Sequence, residues 1–146
     1  MHTKLFIPFA ILFLAPFTVS AAEVSLEAAP ERAGVGDTVR VSVILDSIIP
    51  VNAFAGALSY DAAMLEPIAT SDGNSVISIW IVRPAVPEDG ASIPFSGITP
   101  GGFSGDSGTL FSVLFRAKAA GSASVFLGDI EVLRNDGAGG EEPVRA

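Results

Sequence analysis

Apolar and polar residues alternate with a period of two along much of this chain, and no stretch carries the 3.6-residue period of a long amphipathic helix. Alternation of that kind puts successive side chains on opposite faces of a strand, so one face is buried and the other is wet. The clearest case is Val39, Val41, Val43 and Leu45, set against Arg40 and Ser42. Val24 and Leu26 alternate with Ser25 and Glu27 in the same way. Over residues 53–60, Phe54, Leu58 and Tyr60 share one parity with Gly56, and Ala53, Ala55, Ala57 and Ser59 share the other. The large side chains belong to the core. The opposite face of that strand is flat and made of small residues. Short strands at fairly regular spacing, with turn signals between them, predict an all-β sandwich or jelly roll of about nine strands.

The turn signals divide the strands. Pro30 and Gly34-Val35-Gly36-Asp37 separate the first two, and Pro50 ends the segment after Leu45. Asp61 is placed to cap one short helical turn that Pro67 closes. Ser71-Asp72-Gly73-Asn74 is a turn cluster, residues 76–82 are a β-rich run containing Trp80, and residues 83–90 form a loop. Residues 93–98 are a short strand containing Pro94, and Thr99-Pro100-Gly101-Gly102 turns the chain again. Leu110, Val113 and Phe115 are core residues whose spacing departs from strict alternation, which predicts a bulge near Phe111 and Ser112. A last pair of short strands covers residues 123–127 and 129–133. Residues 138–146 are polar and Gly-rich and read as a flexible tail or linker.

Residues 1–22 read as a secretory signal peptide. Lys4 is the positive start, residues 5–17 are an apolar segment too short to span a bilayer comfortably, and Ser20, Ala21 and Ala22 are small. Cleavage after Ala21 or Ala22 leaves one domain, residues 23–137, followed by the tail. The mature chain has no predicted membrane span and is secreted or held at the cell surface. Removal of the segment also takes His2, the only histidine, and the chain has no cysteine. Loss of Lys4 makes the formal charge of −8 more negative by one unit. So acidic a chain does not suit nucleic acid, whose phosphates need cations. It suits solubility and a basic or neutral partner.

This inventory narrows the chemistry. Without imidazole or thiol, Ser/His catalysis and the usual zinc sites are ruled out in the mature chain. Gly101-Gly102-Phe103-Ser104-Gly105 has glycines but no lysine and no helix after it, so it is a loop and not a phosphate cradle. Asp61, Glu66, Glu88, Asp89, Asp106 and Asp129 are the candidates for a carboxylate pair, and most of them sit in turns. Asp72-Gly73-Asn74 and Asn135-Asp136-Gly137 do not continue into a twelve-residue calcium loop. The chain is therefore expected to be no enzyme and to need no cofactor or metal. Carbohydrate binding is the competing reading, because sugars stack on exposed aromatic rings. Tyr60 lies on the core parity and is expected to be buried with its hydroxyl bonded. Trp80 is open to three roles: core residue, sugar platform or binding anchor.

The order of segments resembles the cohesin family of dockerin-binding modules. Val35-Gly36-Asp37-Thr38-Val39 is similar to the opening of the cohesin second strand. Val51-Asn52-Ala53-Phe54, then Leu58-Ser59-Tyr60-Asp61 and Leu65-Glu66, resemble the third strand and its continuation. Ile93-Pro94-Phe95-Ser96-Gly97, Gly102-Phe103-Ser104-Gly105 and Gly108-Thr109-Leu110, running to Phe115-Arg116-Ala117-Lys118, resemble later strands. Gly121-Ser122 and Asn135-Asp136-Gly137 fit the closing segment. The resemblance implies a jelly-roll sandwich that binds a dockerin helix on one sheet face. It implies a partner-binding set of Ala53, Ala55, Ala57 and Ser59, with Trp80, Phe111 and Leu114 as further candidates. Alanines stand where cellulosomal cohesins carry polar residues, a departure from the family pattern. Two alternatives remain: a polysaccharide-binding module, and a structural or adhesion domain of the cell envelope.

Overall fold

The computed structural model describes residues 22–146. The predicted signal segment therefore lies outside the described residues, apart from Ala22. Among the described residues no helix is long and apolar enough to cross a membrane. In chain order the strands are β1 (Ala22–Ala29), β2 (Thr38–Tyr60), β3 (Leu65–Ser71), β4 (Ile79–Val82), β5 (Ser92–Ala117), β6 (Val125–Arg134) and β7 (Val144–Arg145).

Two long strands, β2 and β5, each serve both layers of a sandwich. The first half of β2 pairs with β1 and with residues 108–116 of β5, and β3 continues that layer. The second half of β2 pairs with residues 92–98 of β5 and with β6, and β4 continues that layer. Counting the two halves of each bent strand separately gives the predicted number of segments. Jelly-roll closure of this kind lets one strand turn a corner instead of ending there.

The corners have local causes. In β2, register shifts cluster from Leu45 to Ala53. There the Ser47 hydroxyl donates to the Ile49 carbonyl at 2.7 Å, and Pro50, which has no N–H to give a ladder, still accepts from Asn135 N at 2.9 Å. In β5, Gly101 and Gly102 hold φ of 87° and 78°, a region that side chains disfavour. Pro50 and residues 99–102 were expected to end strands, and they bend them instead.

The core lies between the layers. Phe111 and Phe115 from one layer meet Phe95 and Tyr60 from the other. The Phe95–Phe111 centroids are 4.9 Å apart and the Tyr60–Phe115 centroids 5.1 Å apart, both tilted. Val43, Leu45, Val51, Leu58, Ile93 and Val113 fill the space around them and are fully buried. Each such side chain contributes about 1.5–3 kcal/mol of transfer free energy. The predicted parity of residues 53–60 holds, with Phe54, Leu58 and Tyr60 buried. The Tyr60 hydroxyl donates to Gly90 O at 3.4 Å, and burial pushes its phenol pKa up. Gly56 shares the inward parity, and it has no side chain because a Cβ there would stand 2.5 Å from Ile130 Cδ1 and 3.1 Å from Phe95 Cζ.

Several details differ from the sequence expectation. The bulge in β5 falls at Leu110: pairing steps from Val43–Phe111 to Ile44–Thr109. As a result Leu110 and Phe111 are both buried. Leu65 and Glu66, expected in a helical turn closed by Pro67, instead open edge strand β3, where Pro67 is tolerated because only one side is paired. Asp61 does cap the turn before it, accepting from Ala63 N at 3.0 Å. The two short strands expected over residues 123–133 are one strand, with Asp129 at φ 52° in the register shift between Ala55 and Ala57 of β2.

Residues 138–146 are not a free tail. Glu142 N donates to Val132 O at 2.8 Å, and β7 pairs in parallel with Ala22 and Glu23 of β1. The Glu142 side chain is 2% exposed and accepts from Arg134 Nε at 2.5 Å. The turn that brings the chain back is held by Asp136, whose carboxylate accepts from Ala138 N and is kept below its usual pKa by that bond. Arg134→Ala leaves a buried carboxylate unpaired. The arginine is half exposed, so a loss of about 1–2 kcal/mol is expected in urea unfolding, and Arg134→Lys should recover part of it.

Candidate protein-docking face

The outer face of the β4–β5–β2–β6 layer is built by register. Cross-strand partners share a face, so Ala53 lies level with Ile98 of β5 and Leu133 of β6. Ala55 lies level with Ser96 and Glu131, Ala57 with Pro94 and Gly128, and Ser59 with Ser92 and Phe126. On the far side, β4 sets Ile79 opposite Ile98 and Val82 opposite Ser96. The result is a shallow trough. Its floor is small (Ala55, Ala57, Ser59 and Ser96), and it runs about 20 Å along β2. Its walls are Ile79 and Val82 on β4 and Leu133, Glu131 and Phe126 on β6. From β4 to β6 is three strand spacings, about 14 Å, enough to seat one helix of about 10 Å diameter.

The walls are unusually apolar for an open sheet face. Ile79, Val82 and Phe126 are 49%, 42% and 58% exposed, and Ile81, beside the register shift in β4, is 71% exposed. Scattered exposed apolar residues are ordinary, but a run of them along one face marks a surface that binds something.

Of the seven residues expected at the partner surface, four share this trough: Ala53, Ala55, Ala57 and Ser59. Phe111 does not, because the bulge at Leu110 turns it into the core, where it is fully buried against Phe95. Leu114 is paired with Arg40 and Ala69, so it lies on the outer face of the other layer, across the sandwich. Trp80 is opposite Gly97, on the inward parity of β5, and packs half-buried against the core. Its place depends on Gly97, where a Cβ would stand 2.8 Å from the Ile79 carbonyl oxygen. Of its three candidate roles, this placement favours packing against the core, at the base of the β4 wall.

Ile79, Val82, Phe126 and Glu131 were not anticipated. Residues 76–82 are apolar at nearly every position, and Val125-Phe126-Leu127 are apolar on both parities, so periodicity does not assign a face there. Asp61 caps a turn, and Glu66 pairs with Arg116 at 3.3 Å. Among the described residues no three His, Cys, Asp or Glu side chains are grouped to hold a metal.

No protein-family profile matches the chain, and no curated protein does. Solved structures do. A non-cellulosomal cohesin from the hyperthermophilic archaeon Archaeoglobus fulgidus is 25% identical with a TM-score of 0.67, covering 84% of this chain and 85% of its own. The cohesin of a type I cohesin–dockerin complex from Clostridium thermocellum (Coh-OlpA-Doc918) is 14% identical with a TM-score of 0.69, covering 86% of this chain and 93% of its own. A cohesin module from a family 33 glycoside hydrolase of Clostridium perfringens is 14% identical with a TM-score of 0.67, covering 87% and 92%. These superpositions show that this chain has the cohesin fold.

Proposed function

We propose that this chain is an exported, non-catalytic protein-binding module that docks a dockerin-like partner in the trough floored by Ala53, Ala55, Ala57 and Ser59. The observation that carries this is the row of small side chains along β2, flanked by exposed apolar residues on β4 and by the exposed Phe126 on β6. A surface of that shape suits a helix, which lies close against small residues and buries its apolar side on the walls. The cohesin fold supports the same reading, since several solved relatives of this shape are complexes with dockerins. A polysaccharide platform has less support, because Trp80 packs against the core and the sheet face offers no exposed Trp or Tyr.

Export is part of the proposal. The signal lies within residues 1–22, and processing after Ala21 keeps all of β1, including the Ala22–Val144 pairing. The mature protein then acts outside the cytoplasm.

The test is capture. The immobilised domain, offered calcium-loaded dockerin-bearing proteins of the same organism, is expected to retain one of them at low micromolar affinity or better. Retention of none of them, with the domain shown to be folded, would overturn the proposal.

A further inference from the structure

The two walls of the trough differ in chemistry. On the β4 side the exposed side chains are Ile79, Ile81 and Val82, all aliphatic. On the β6 side, besides the exposed ring of Phe126, stand two exposed carboxylates, Glu131, level with Ala55, and Asp129, in the register shift beside Ala57. Among the described residues, the arginines at the ends of β4 and β6 are already paired with other carboxylates. Arg83, which follows β4, is held by Asp72 at 3.0 Å, and Arg134, at the end of β6, is held by Glu142.

We infer that the partner is a helix with a basic flank, seated in one orientation: its lysines or arginines run along β6 against Glu131 and Asp129, and its apolar flank lies along β4. This rests on the docking reading above and adds the partner's charge and polarity to it. Charge pairs at the edge of an interface contribute little affinity each, but they steer encounter and penalise the wrong partner or the reversed register. A second copy of this chain is disfavoured as occupant, because its formal charge is −8 and its own trough carries the same carboxylates. An acidic helix is disfavoured for the same reason.

The probe is a pair of synthetic helical peptides with the same Ala/Leu stripe, one with lysine and one with glutamate along a single flank. Titration is run at low salt against the wild-type domain, Glu131→Lys and Ala55→Arg. The lysine peptide is expected to bind wild type about five- to tenfold more tightly than the glutamate peptide. The preference should shrink severalfold in about 0.5 M salt and vanish or invert in Glu131→Lys. Ala55→Arg should remove binding of both. Equal binding of the two peptides, unchanged by Glu131→Lys but lost in Ala55→Arg, would overturn the charged-flank inference and leave the docking face standing. Binding of neither peptide, or binding untouched by Ala55→Arg, would sink the docking face and this inference with it.

Discussion

Phe111→Ala is expected to lower the stability of the domain by about 3–5 kcal/mol, read as a fall in the urea midpoint with little change in slope. Phe111 is fully buried and its ring meets Phe95 from the opposite layer at 4.9 Å, so its removal opens a cavity where the two sheets touch. A small domain of this kind holds about 5–15 kcal/mol in total, and a loss of that size is a large share of it. Leu114→Ala, three residues along the same strand but on the outer face, is expected to cost under about 1.5 kcal/mol, since the site is open to solvent on one side. The pair of variants separates the two faces of β5. Equal losses at both positions would mean that the bulge at Leu110 is misplaced and that the inward set of residues is different.

Ala55→Arg has the opposite profile. Its side chain leaves the floor of the trough outward, where a long cation has room in the free protein, so stability should change by under about 1 kcal/mol. In the complex the same side chain stands where the partner must come closest to the sheet, and affinity for the captured partner should fall at least about thirtyfold. Leu114→Arg supplies the matched control. It places the same group on the outer face of the other layer, and binding there should stay within about twofold. The contrast is informative because the substitution is the same and only the layer differs.

The halves of this account were legible in the sequence to different degrees. Parity was readable wherever large and small side chains alternate cleanly. Val41, Val43 and Leu45 are inside, as are Phe54, Leu58 and Tyr60, and the alanines between those last three face out. That was enough to predict a sandwich and to place the floor of the trough. Parity was not readable where both faces are apolar. Residues 76–82 and 125–127 fall in that class, and they supply both walls. The bulge at Leu110 was anticipated from broken spacing, yet a bulge one residue away reverses the side on which Phe111 falls. Long-range closure was hidden altogether. Composition makes Gly-rich residues 138–146 look like linker, but the register of β7 on β1 depends on strands far apart in sequence. Pro50 shows the same limit in local form: as a strand breaker it predicts an end, while the pairing on either side carries the strand around the corner.

In the proposed docking mode, the layer built from β4, β5, the second half of β2 and β6 receives the partner. The chain has no cysteine, so a single introduced thiol reports on one position without interference. Ala57→Cys and Leu114→Cys are alkylated with and without the captured dockerin-type partner, and the rates are compared. The partner is expected to slow alkylation of Ala57→Cys at least about tenfold while leaving Leu114→Cys at its free rate. Protection of Leu114→Cys, with Ala57→Cys reacting as fast as in the free protein, would place the partner on the other side of the sandwich and contradict the claim.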